Sequence, residues 1–427
     1  MIDLHPPPEN RDQPALDAEY DVVVIGGGPA GATVGALTAE AGHRVLILER
    51  SSLPRFHLGE SLIPETYWTL QRLGLIERLK ATAFPKKYSV QFVSEDGKES
   101  APFFFDEYKP HESSQTWQVE RSEFDRMLLQ RAEELGAVVR TDAQVLSVLF
   151  DGERATGVEV KLTDKNSNRE TRTVSARVVV DATGQSAFLV NRLGLKRPDP
   201  LLKKGSVWSY FRGALRDSGR SEGATIILQT AGKSSWFWYI PLPDDIVSVG
   251  CTGDVGYMFA PGRGGPEQIF NHELRRCPGM QRRLKHAVRA TEFLTTKDFS
   301  YRAERVAGPG WVLVGDAGGF IDPVYSSGIF LALKSGEFAA DAIHDALEAG
   351  DVSAERLGCW QEKYSAGVDL FRKLVYAFYA PGFSFGGFLR EHPQYRSNLV
   401  DILIGDVFKP GVGEMFDAMG EVVPPGD

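Results

Sequence analysis

The sequence predicts an α/β protein that combines a parallel-sheet domain, an antiparallel-sheet domain and a short helical carboxy-terminal region. Three observations support this fold class. A glycine-rich turn joins the β-branched run YDVVVI to a helix-forming run, strand-like runs separated by glycine-containing turns fill residues 205–300, and the chain after residue 350 is helical and aromatic. At about 150 residues per domain, 427 residues allow two or three domains with substantial cores.

Composition and charge exclude several classes of protein. The net charge of −9, from 48 basic and 57 acidic residues, argues against a nucleic-acid partner. The amino terminus is polar and proline-rich, unlike a signal peptide, and no run of about 18 uncharged apolar residues exists, so we expect no stable membrane insertion. The three cysteines, Cys251, Cys277 and Cys359, are too few and too widely spaced for a disulfide framework. A cytoplasmic location is therefore expected.

The order of strand-like and helix-like runs predicts a discontinuous organisation. Residues 1–18 carry several prolines and charges and are expected to form a disordered leader. The parallel-sheet domain is expected to draw on three separate segments, and the antiparallel sheet on two. The predicted bounds are 19–85, 112–200 and 298–350 for the first domain, 86–111 and 201–297 for the second, and 351–427 for the helical region.

The turn after the first strand carries the pattern GxGxxG, formed by Gly26, Gly28 and Gly31. These glycines permit a tight turn, a close backbone approach to a pyrophosphate, and close packing of the helix on the strand. Glu49 ends the next strand, RVLILE, where a carboxylate can accept hydrogen bonds from a ribose. The whole βαβ unit therefore predicts a Rossmann-like dinucleotide site, to which Ala30 and Arg50 are also assigned.

Two distant segments indicate which dinucleotide binds. VVVDATGQS at 178–186 and WVLVGDAGGFIDPVYSSG at 311–328 are buried strands followed by small turn-forming residues. With the βαβ unit they resemble the FAD-dependent monooxygenase-like superfamily. The resemblance implies that FAD is bound, with Asp316 near its ribityl or pyrophosphate part and with Arg121 and Gly328 also in contact. Because no second GxGxxG occurs, a separate flavin reductase is expected to supply the electrons.

Four further features resemble the flavin-dependent halogenases. They are GESLIP at 59–64, the lysine pair in FPKKYSVQF, the pattern WxWxIP at 236–241, and DPVYSSG before the last long helix. The resemblance implies that reduced FAD, O2 and chloride or bromide give hypohalous acid, which a lysine relays to an electron-rich aromatic substrate of phenol or pyrrole type. That substrate is either free or tethered to a carrier protein.

The same resemblance assigns roles to individual residues. Lys87 is the expected relay, with Lys86 as the alternative, and it acts either as a hydrogen-bonding ammonium or as a neutral amine that forms a haloamine. Adjacent strand residues point to opposite faces, so only one lysine should face inward. Glu60 is a further catalytic candidate, either ordering its loop or binding substrate or water.

The resemblance implies a halide site near Ser327 and Gly328, and the start of a helix there, which attracts anions, is an independent reason to expect it. The WxWxIP residues are expected to wall the route between flavin and substrate. They are Trp236, Trp238, Ile240 and Pro241.

Several alternatives remain open from the sequence. A flavin hydroxylase would transfer oxygen directly and would need no relay lysine, and a geranylgeranyl-reductase-like enzyme shares the tryptophan pattern. A flavoprotein that only binds FAD is a third reading. The aromatic carboxy-terminal segment either lines a pocket or completes the core. No metal is predicted, because His57 and His111 lack ligand spacing.

Overall fold

The protein is described by a computed structural model, which covers residues 13–163, 169–297 and 299–423. Most of the predicted leader, residues 1–12, lies outside the described residues. The strands, in chain order, are β1 Glu19–Ile25, β2 Val45–Leu48, β3 Lys86–Lys87, β4 Ser89–Val93, β5 Phe103–Phe104, β6 Thr116–Trp117, β7 Val138–Arg140, β8 Ala143–Asp151, β9 Arg154–Thr163, β10 Arg169–Asp181, β11 Lys196–Pro198, β12 Lys204–Arg212, β13 Thr225–Gln229, β14 Ser235–Pro241, β15 Ile246–Asp254, β16 Val288–Arg289, β17 Leu294–Lys297, β18 Tyr301–Ala303, β19 Ala307–Gly308, β20 Trp311–Leu313 and β21 Gly319–Phe320.

The helices are interspersed among these strands up to β21, and those from Ser327 onward follow the last strand. They are α1 Pro29–Glu40, α2 Thr66–Arg72, α3 Ile76–Lys80, α4 Arg121–Glu134, α5 Phe188–Arg192, α6 Val255–Met258, α7 Pro266–Leu274, α8 Pro278–Leu284, α9 Ser327–Glu348, α10 Ala354–Leu357, α11 Gln361–Tyr379, α12 Phe385–Glu391, α13 Arg396–Ile404 and α14 Met415–Met419.

The first sheet is built around β1. It has the order β19-β20-β10-β1-β2-β7, in which β20, β10, β1, β2 and β7 are parallel and β19 is an antiparallel edge strand. Val22 and Val24 of β1 pack toward α1, α4 and α9, whereas Val23 packs into the core formed with the β8–β9 hairpin. Because both faces are covered, the strand is apolar throughout, as its sequence predicts.

The parallel direction of these strands brings four turns to one edge of the sheet. The glycine turn follows β1, Glu49 follows β2, the ATG turn follows β10, and the turn containing Asp316 follows β20. Since the carboxyl ends of parallel strands share an edge, this edge is the place where such sheets bind ligands.

The second sheet has the order β16-β12-β15-β14-β13-β4-β5, with β17 also paired to β12. Its pairs are antiparallel apart from β4 and β13, which run parallel. Trp236 and Trp238 of β14 face a core that includes α9 and the carboxy-terminal helices α11 to α14. Phe237 and Tyr239 alternate with them and face α7 and α8 on the other side. The predicted α/β fold with a second, antiparallel sheet and a helical end is thus confirmed.

Candidate active site

The glycine turn after β1 has the shape that a pyrophosphate requires. Gly26 has φ of +105°, and a side chain there would overlap the carbonyl oxygen of Ala182. A side chain at Gly31 would overlap the carbonyl oxygen of Gly26, so α1 packs directly on the turn. A Cβ atom added at Gly28 would lie 3.7 Å from the Arg55 guanidinium and would meet nothing closer in the described part of the chain beyond its sequence neighbours. The open side therefore leaves room for a ligand against the backbone.

The groups around this turn complement a dinucleotide. Helix α1 starts with Pro29 and has no side-chain cap, so its first N–H groups are available to an anion. The buried Glu49 carboxylate accepts hydrogen bonds from the backbone N–H groups of Gly27 and Ser51, both at 2.9 Å. Arg50 is exposed beside it, and Ala30 is buried in the first turn of α1.

A buried ion pair lies next to these groups. Arg121, at the start of α4, donates from Nε and Nη2 to the Asp125 carboxylate at 2.8 and 3.0 Å and from Nη1 to the Leu58 carbonyl oxygen at 2.7 Å. Burial raises the pKa of Asp316 to about 6, and the nearby positive charge of Arg121 acts in the opposite direction. Arg121 and Asp316, predicted from separate motifs, therefore approach one another. The residues at this edge fit FAD.

The two adjacent lysines occupy opposite environments. Lys86 is exposed, whereas Lys87 has only 2% of its surface accessible. The Lys87 Nζ donates hydrogen bonds to the Ser61 hydroxyl oxygen at 2.8 Å and to the Leu62 carbonyl oxygen at 2.9 Å, and lies 5.7 Å from the centre of the Phe105 ring. Burial lowers the pKa of Lys87 to about 7, because desolvation penalises the ammonium form. The lysine can therefore exchange a proton near neutral pH.

Lys87 lines a small cavity of about 20 Å³, just large enough for one water molecule. Ser326, directly before α9, lines the same cavity. A larger cavity of about 440 Å³ lies between β4, β13 and the carboxy-terminal helices, and the two cavities share Ile227, Tyr325 and Leu403 as lining residues. The larger cavity therefore leads toward Lys87.

The start of α9 is the second element of the small cavity. Ser326 has φ of +56°, in the left-handed region, and α9 begins at Ser327 without a side-chain cap. Ser327 is buried, and Gly328 lies against the Phe320 ring. Asp322 stabilises the preceding turn by accepting a hydrogen bond from the Val324 N–H at 3.0 Å. Uncapped N–H groups of a 22-residue helix thus begin beside the cavity that Lys87 lines.

Glu60 is next to Ser61 in the chain, but its side chain forms hydrogen bonds with residues other than Lys87. Its carboxylate accepts a hydrogen bond from the Tyr210 hydroxyl at 2.6 Å and from the Gly59 N–H at 3.3 Å. Burial raises the pKa of Glu60, and Arg121 and these hydrogen bonds oppose that rise. GESLIP therefore supplies both a buried acid and the Ser61 partner of Lys87.

The indole N–H groups of both tryptophans of β14 are hydrogen-bonded to other side chains of the protein. Trp236 Nε1 donates to the Tyr379 hydroxyl at 2.8 Å, and Tyr379 donates to the Asp322 carboxylate at 3.0 Å. Trp238 Nε1 donates to the Ser248 hydroxyl at 3.1 Å. None of the four WxWxIP residues is among those lining either cavity, although all are buried: Trp236, Trp238, Ile240 and Pro241.

Sequence reasoning missed three contributors to the site. Ser61 and Tyr325 lie inside motifs that were singled out, GESLIP and DPVYSSG, but neither was given a role. Tyr379 lies in the aromatic carboxy-terminal segment, which was expected to line a pocket or complete the core; the polar tip of a buried tyrosine is the signal that could have indicated a hydrogen-bond partner. The Tyr325 hydroxyl is buried and has no hydrogen-bond partner among the described residues.

Comparison with known proteins first establishes the class. The model of a family described as "FAD binding domain" matches residues 19–334, the span that contains the glycine turn, Arg121 and Asp316. Together with the residues at the carboxyl edge of the parallel sheet, this match defines an FAD-binding flavoprotein. In the described part of the chain, no helix is long and apolar enough to cross a membrane.

Individual relatives then establish the family. A 1H-pyrrole-2-carbonyl-[peptidyl-carrier protein] chlorinase of Pseudomonas fluorescens is 30% identical over 95% of this chain and 94% of its own length. The corresponding brominase of Pseudoalteromonas luteoviolacea is 31% identical over 91% and 92%. Among solved structures, the flavin-dependent brominase Bmp2 has a TM-score of 0.83 at 29% identity and covers 94% of this chain and 98% of its own. The chain belongs to the flavin-dependent halogenases and is an oxidoreductase that binds FAD.

Proposed function

We propose that this halogenase places a halogen on an electron-rich aromatic ring through Lys87, using hypohalous acid formed from chloride or bromide. The observation that carries the proposal is that Lys87 and Ser326 line one small cavity. Lys87 follows GESLIP and Ser326 lies in DPVYSSG, so two of the predicted halogenase motifs meet at this cavity of about 20 Å³. When bound and reduced, FAD supplies with O2 the oxidising equivalents that convert halide to hypohalous acid.

Lys87 acts in this proposal as a proton donor. Two of the three N–H groups of its ammonium are held by Ser61 and Leu62, which leaves one for the cavity. That group donates a hydrogen bond to the oxygen of hypohalous acid. As the aromatic carbon takes the halogen, the O–X bond breaks and the oxygen takes the lysine proton, so that water leaves. The ring then loses its own proton, and the amine is reprotonated. A pKa near 7 suits such a group.

The halide binds in this proposal at the start of α9. Ser327 and Gly328 supply the first turn of the helix, whose N–H groups and positive dipole end favour an anion. Halide held there lies at the mouth of the cavity that Lys87 lines. The buried Glu60 carboxylate bonds to Tyr210 and to the Gly59 N–H, and these bonds order the GESLIP loop. Because Ser61 lies in that loop, Glu60 thereby positions Lys87.

The larger cavity is proposed as the entrance for substrate. Its volume of about 440 Å³ falls in the range of small-molecule sites, and its lining is mainly apolar and aromatic, including Phe92, Phe378 and Phe383. Lys98 and Lys233 also line this cavity. Because the larger cavity adjoins the small cavity that Lys87 lines, a ring that enters it approaches Lys87 while a tether remains outside. The two curated relatives named above act on a pyrrole attached to a carrier protein. We propose the same class of tethered pyrrole for this chain.

The electrons are proposed to come from a separate flavin reductase, because the chain carries one GxGxxG and one matched FAD-binding domain. The test supplies chemically reduced FAD, O2 and chloride or bromide to the purified chain with a carrier protein bearing a pyrrolyl group. Intact-protein mass spectrometry is expected to show the halogen isotope pattern on the carrier. A free phenol and a free pyrrole serve as comparison substrates. An oxygenated product without any halogenated product contradicts the proposal.

A further inference from the structure

A group of potential metal ligands lies at the ends of α1 and α9 that are remote from the FAD-binding turns. His43 lies in the turn between α1 and β2, and His344 lies near the end of α9. The Nε2 of His43 and the Nδ1 of His344 are 2.9 Å apart. Glu348 follows His344 by one helical turn, and one ligand atom from each of these three residues lies within 4.8 Å of the other two.

This group is separate from the halogenation site. At 1.5 Å per residue, His344 lies about 25 Å along α9 from Ser327. The chain positions of the ligands explain why spacing in the sequence predicts no metal, since the two histidines are 301 residues apart. Only the packing of α1 against α9, which forms part of the first core, brings them together.

The ligand set favours zinc or a related transition metal over magnesium or calcium. Two imidazoles and a carboxylate match the nitrogen and oxygen ligands of Zn²⁺, whereas Mg²⁺ and Ca²⁺ prefer oxygen alone. Two nitrogens bound to one tetrahedral zinc at 2.0–2.1 Å stand about 3.3 Å apart, so the rings need to separate by only a few tenths of an ångström. The histidines are half-buried and Glu348 is exposed, which leaves the fourth position open to water.

The surroundings also suit a cation. Asp21, whose carboxylate also lies 3.8 Å from the Arg177 guanidinium, is one of the acidic residues near His43. Two carboxylates, those of Asp21 and Glu348, therefore lie near the imidazole of His43, against one guanidinium, that of Arg177. Asp21 is in turn held by the Arg44 N–H at 2.9 Å.

We propose that His43, His344 and Glu348 bind one Zn²⁺ ion, which ties the turn after α1 to the carboxy-terminal part of α9 as a structural site. Both helices begin at the FAD-binding edge, so a tie at their far ends stabilises the FAD-binding domain without taking part in the reaction. Without metal, His43 and His344 are joined by a hydrogen bond. When both rings bind zinc, their bonds to the metal replace that hydrogen bond.

The test is isothermal titration calorimetry of the untagged, FAD-loaded full chain with ZnCl2. The wild-type chain is expected to bind one equivalent, His43→Ala and His344→Ala are expected to lose that binding, and Glu348→Gln is expected to weaken it. His286→Ala is the matched control, because His286 is exposed and outside the group. Absence of binding by the wild type, or equal binding by the alanine variants, overturns the proposal.

A second readout guards against variants that unfold. Zn²⁺ is expected to raise the Tm of the wild type and of His286→Ala, and to leave the Tm of His344→Ala unchanged. His43→Gln keeps a hydrogen-bond donor beside His344 and replaces the alanine variant if the latter does not fold. A zinc-dependent rise in Tm that persists when both histidines are replaced contradicts the site.

Discussion

The Nζ of Lys87 lies 2.8 Å from the hydroxyl oxygen of Ser61. This contact joins two segments that the sequence shows 26 residues apart, and it explains why a lysine without a carboxylate partner among the described residues is tolerated in the interior. A buried ammonium is costly unless hydrogen bonds compensate it. Ser61 and Leu62 supply that compensation, and the remaining N–H group faces the cavity in our proposal.

We predict that Lys87→Met strongly lowers the rate of halogenation while leaving FAD binding and oxygen consumption intact. Loss of a proton donor is expected to lower the halogenation rate by about 10² to 10⁴. Product is measured by mass spectrometry, and oxygen uptake by an electrode in the same reaction. Lys86→Met is the control, since that side chain is exposed. If Lys86→Met loses the product and Lys87→Met keeps it, the assignment of the relay is reversed.

The pH dependence separates the two forms of lysine chemistry. The ammonium of Lys87 has a pKa of about 7, so its fraction falls as pH rises through 7. Because the ammonium is the proposed reactive form, we expect the single-turnover halogenation rate to be highest below pH 7 and to fall about tenfold per pH unit well above it. Reaction through a neutral haloamine has the opposite sign and increases across the same range.

Ser61→Ala gives a sharper version of this test. Removal of the hydroxyl takes one acceptor from the ammonium, and hydrogen bonding to the charged form is what opposes the effect of burial. The pH at which halogenation is half-maximal is therefore expected to move below that of the wild type. Thr66→Ala is a suitable control, because its buried hydroxyl bonds to the Ile63 carbonyl oxygen at 2.7 Å and not to Lys87. An unchanged profile in Ser61→Ala means that this contact does not tune the lysine.

Alanine substitutions at two glycines of the dinucleotide turn are expected to impair different properties, one the stability of the chain and the other its affinity for FAD. Gly31→Ala brings a side chain onto the Gly26 carbonyl oxygen and lowers the Tm of the FAD-free chain. Gly28→Ala meets only the Arg55 guanidinium at 3.7 Å, so the FAD-free Tm stays near that of the wild type. Its methyl group occupies the side proposed for pyrophosphate, and we expect about a tenfold or larger loss in FAD affinity. Unchanged FAD affinity in Gly28→Ala places the pyrophosphate elsewhere.

The parts of the fold and site that could be predicted from the sequence are those that depend on a single short segment of chain. The glycine turn, Glu49 and the apolar strand β1 follow from hydrophobic period and backbone requirements, which are local properties. Strand alternation also predicted that only one of Lys86 and Lys87 faces inward, but the choice of Lys87 rested on the family resemblance.

Long-range partners were not predictable in this way. The contact of Tyr379 with both Trp236 and Asp322, and the pairing of His43 with His344, depend on how the helices pack on the sheets. The parallel pairing of β4 with β13 has the same origin. Periodicity within one segment records which face is buried, but it does not record which residue covers that face.

The bridge formed by Tyr379 yields a prediction about stability. Tyr379→Phe leaves the Trp236 indole N–H and one oxygen of the Asp322 carboxylate without this partner, and each unsatisfied buried group costs about 1–3 kcal/mol. We expect a lower Tm and weaker halogenation, since Asp322 stabilises the turn before α9. Tyr376→Phe is the control, because its hydroxyl bonds Asp199 at 2.7 Å, away from that turn. Equal loss of halogenation in both variants removes the specific role of the bridge.

Tyr325 provides the test of the substrate route. Its buried hydroxyl has no partner among the described residues, and its ring lines both cavities. We therefore expect Tyr325→Phe to keep or raise the Tm, because an uncompensated polar atom is removed, while substrate loses a hydrogen bond of about 1 kcal/mol and KM rises about fivefold. Tyr239→Phe is the matched control: its hydroxyl donates to the Leu215 carbonyl oxygen at 2.6 Å on the other face of the sheet. That variant is expected to lower the Tm and leave KM unchanged, and the reverse pattern excludes entry past Tyr325.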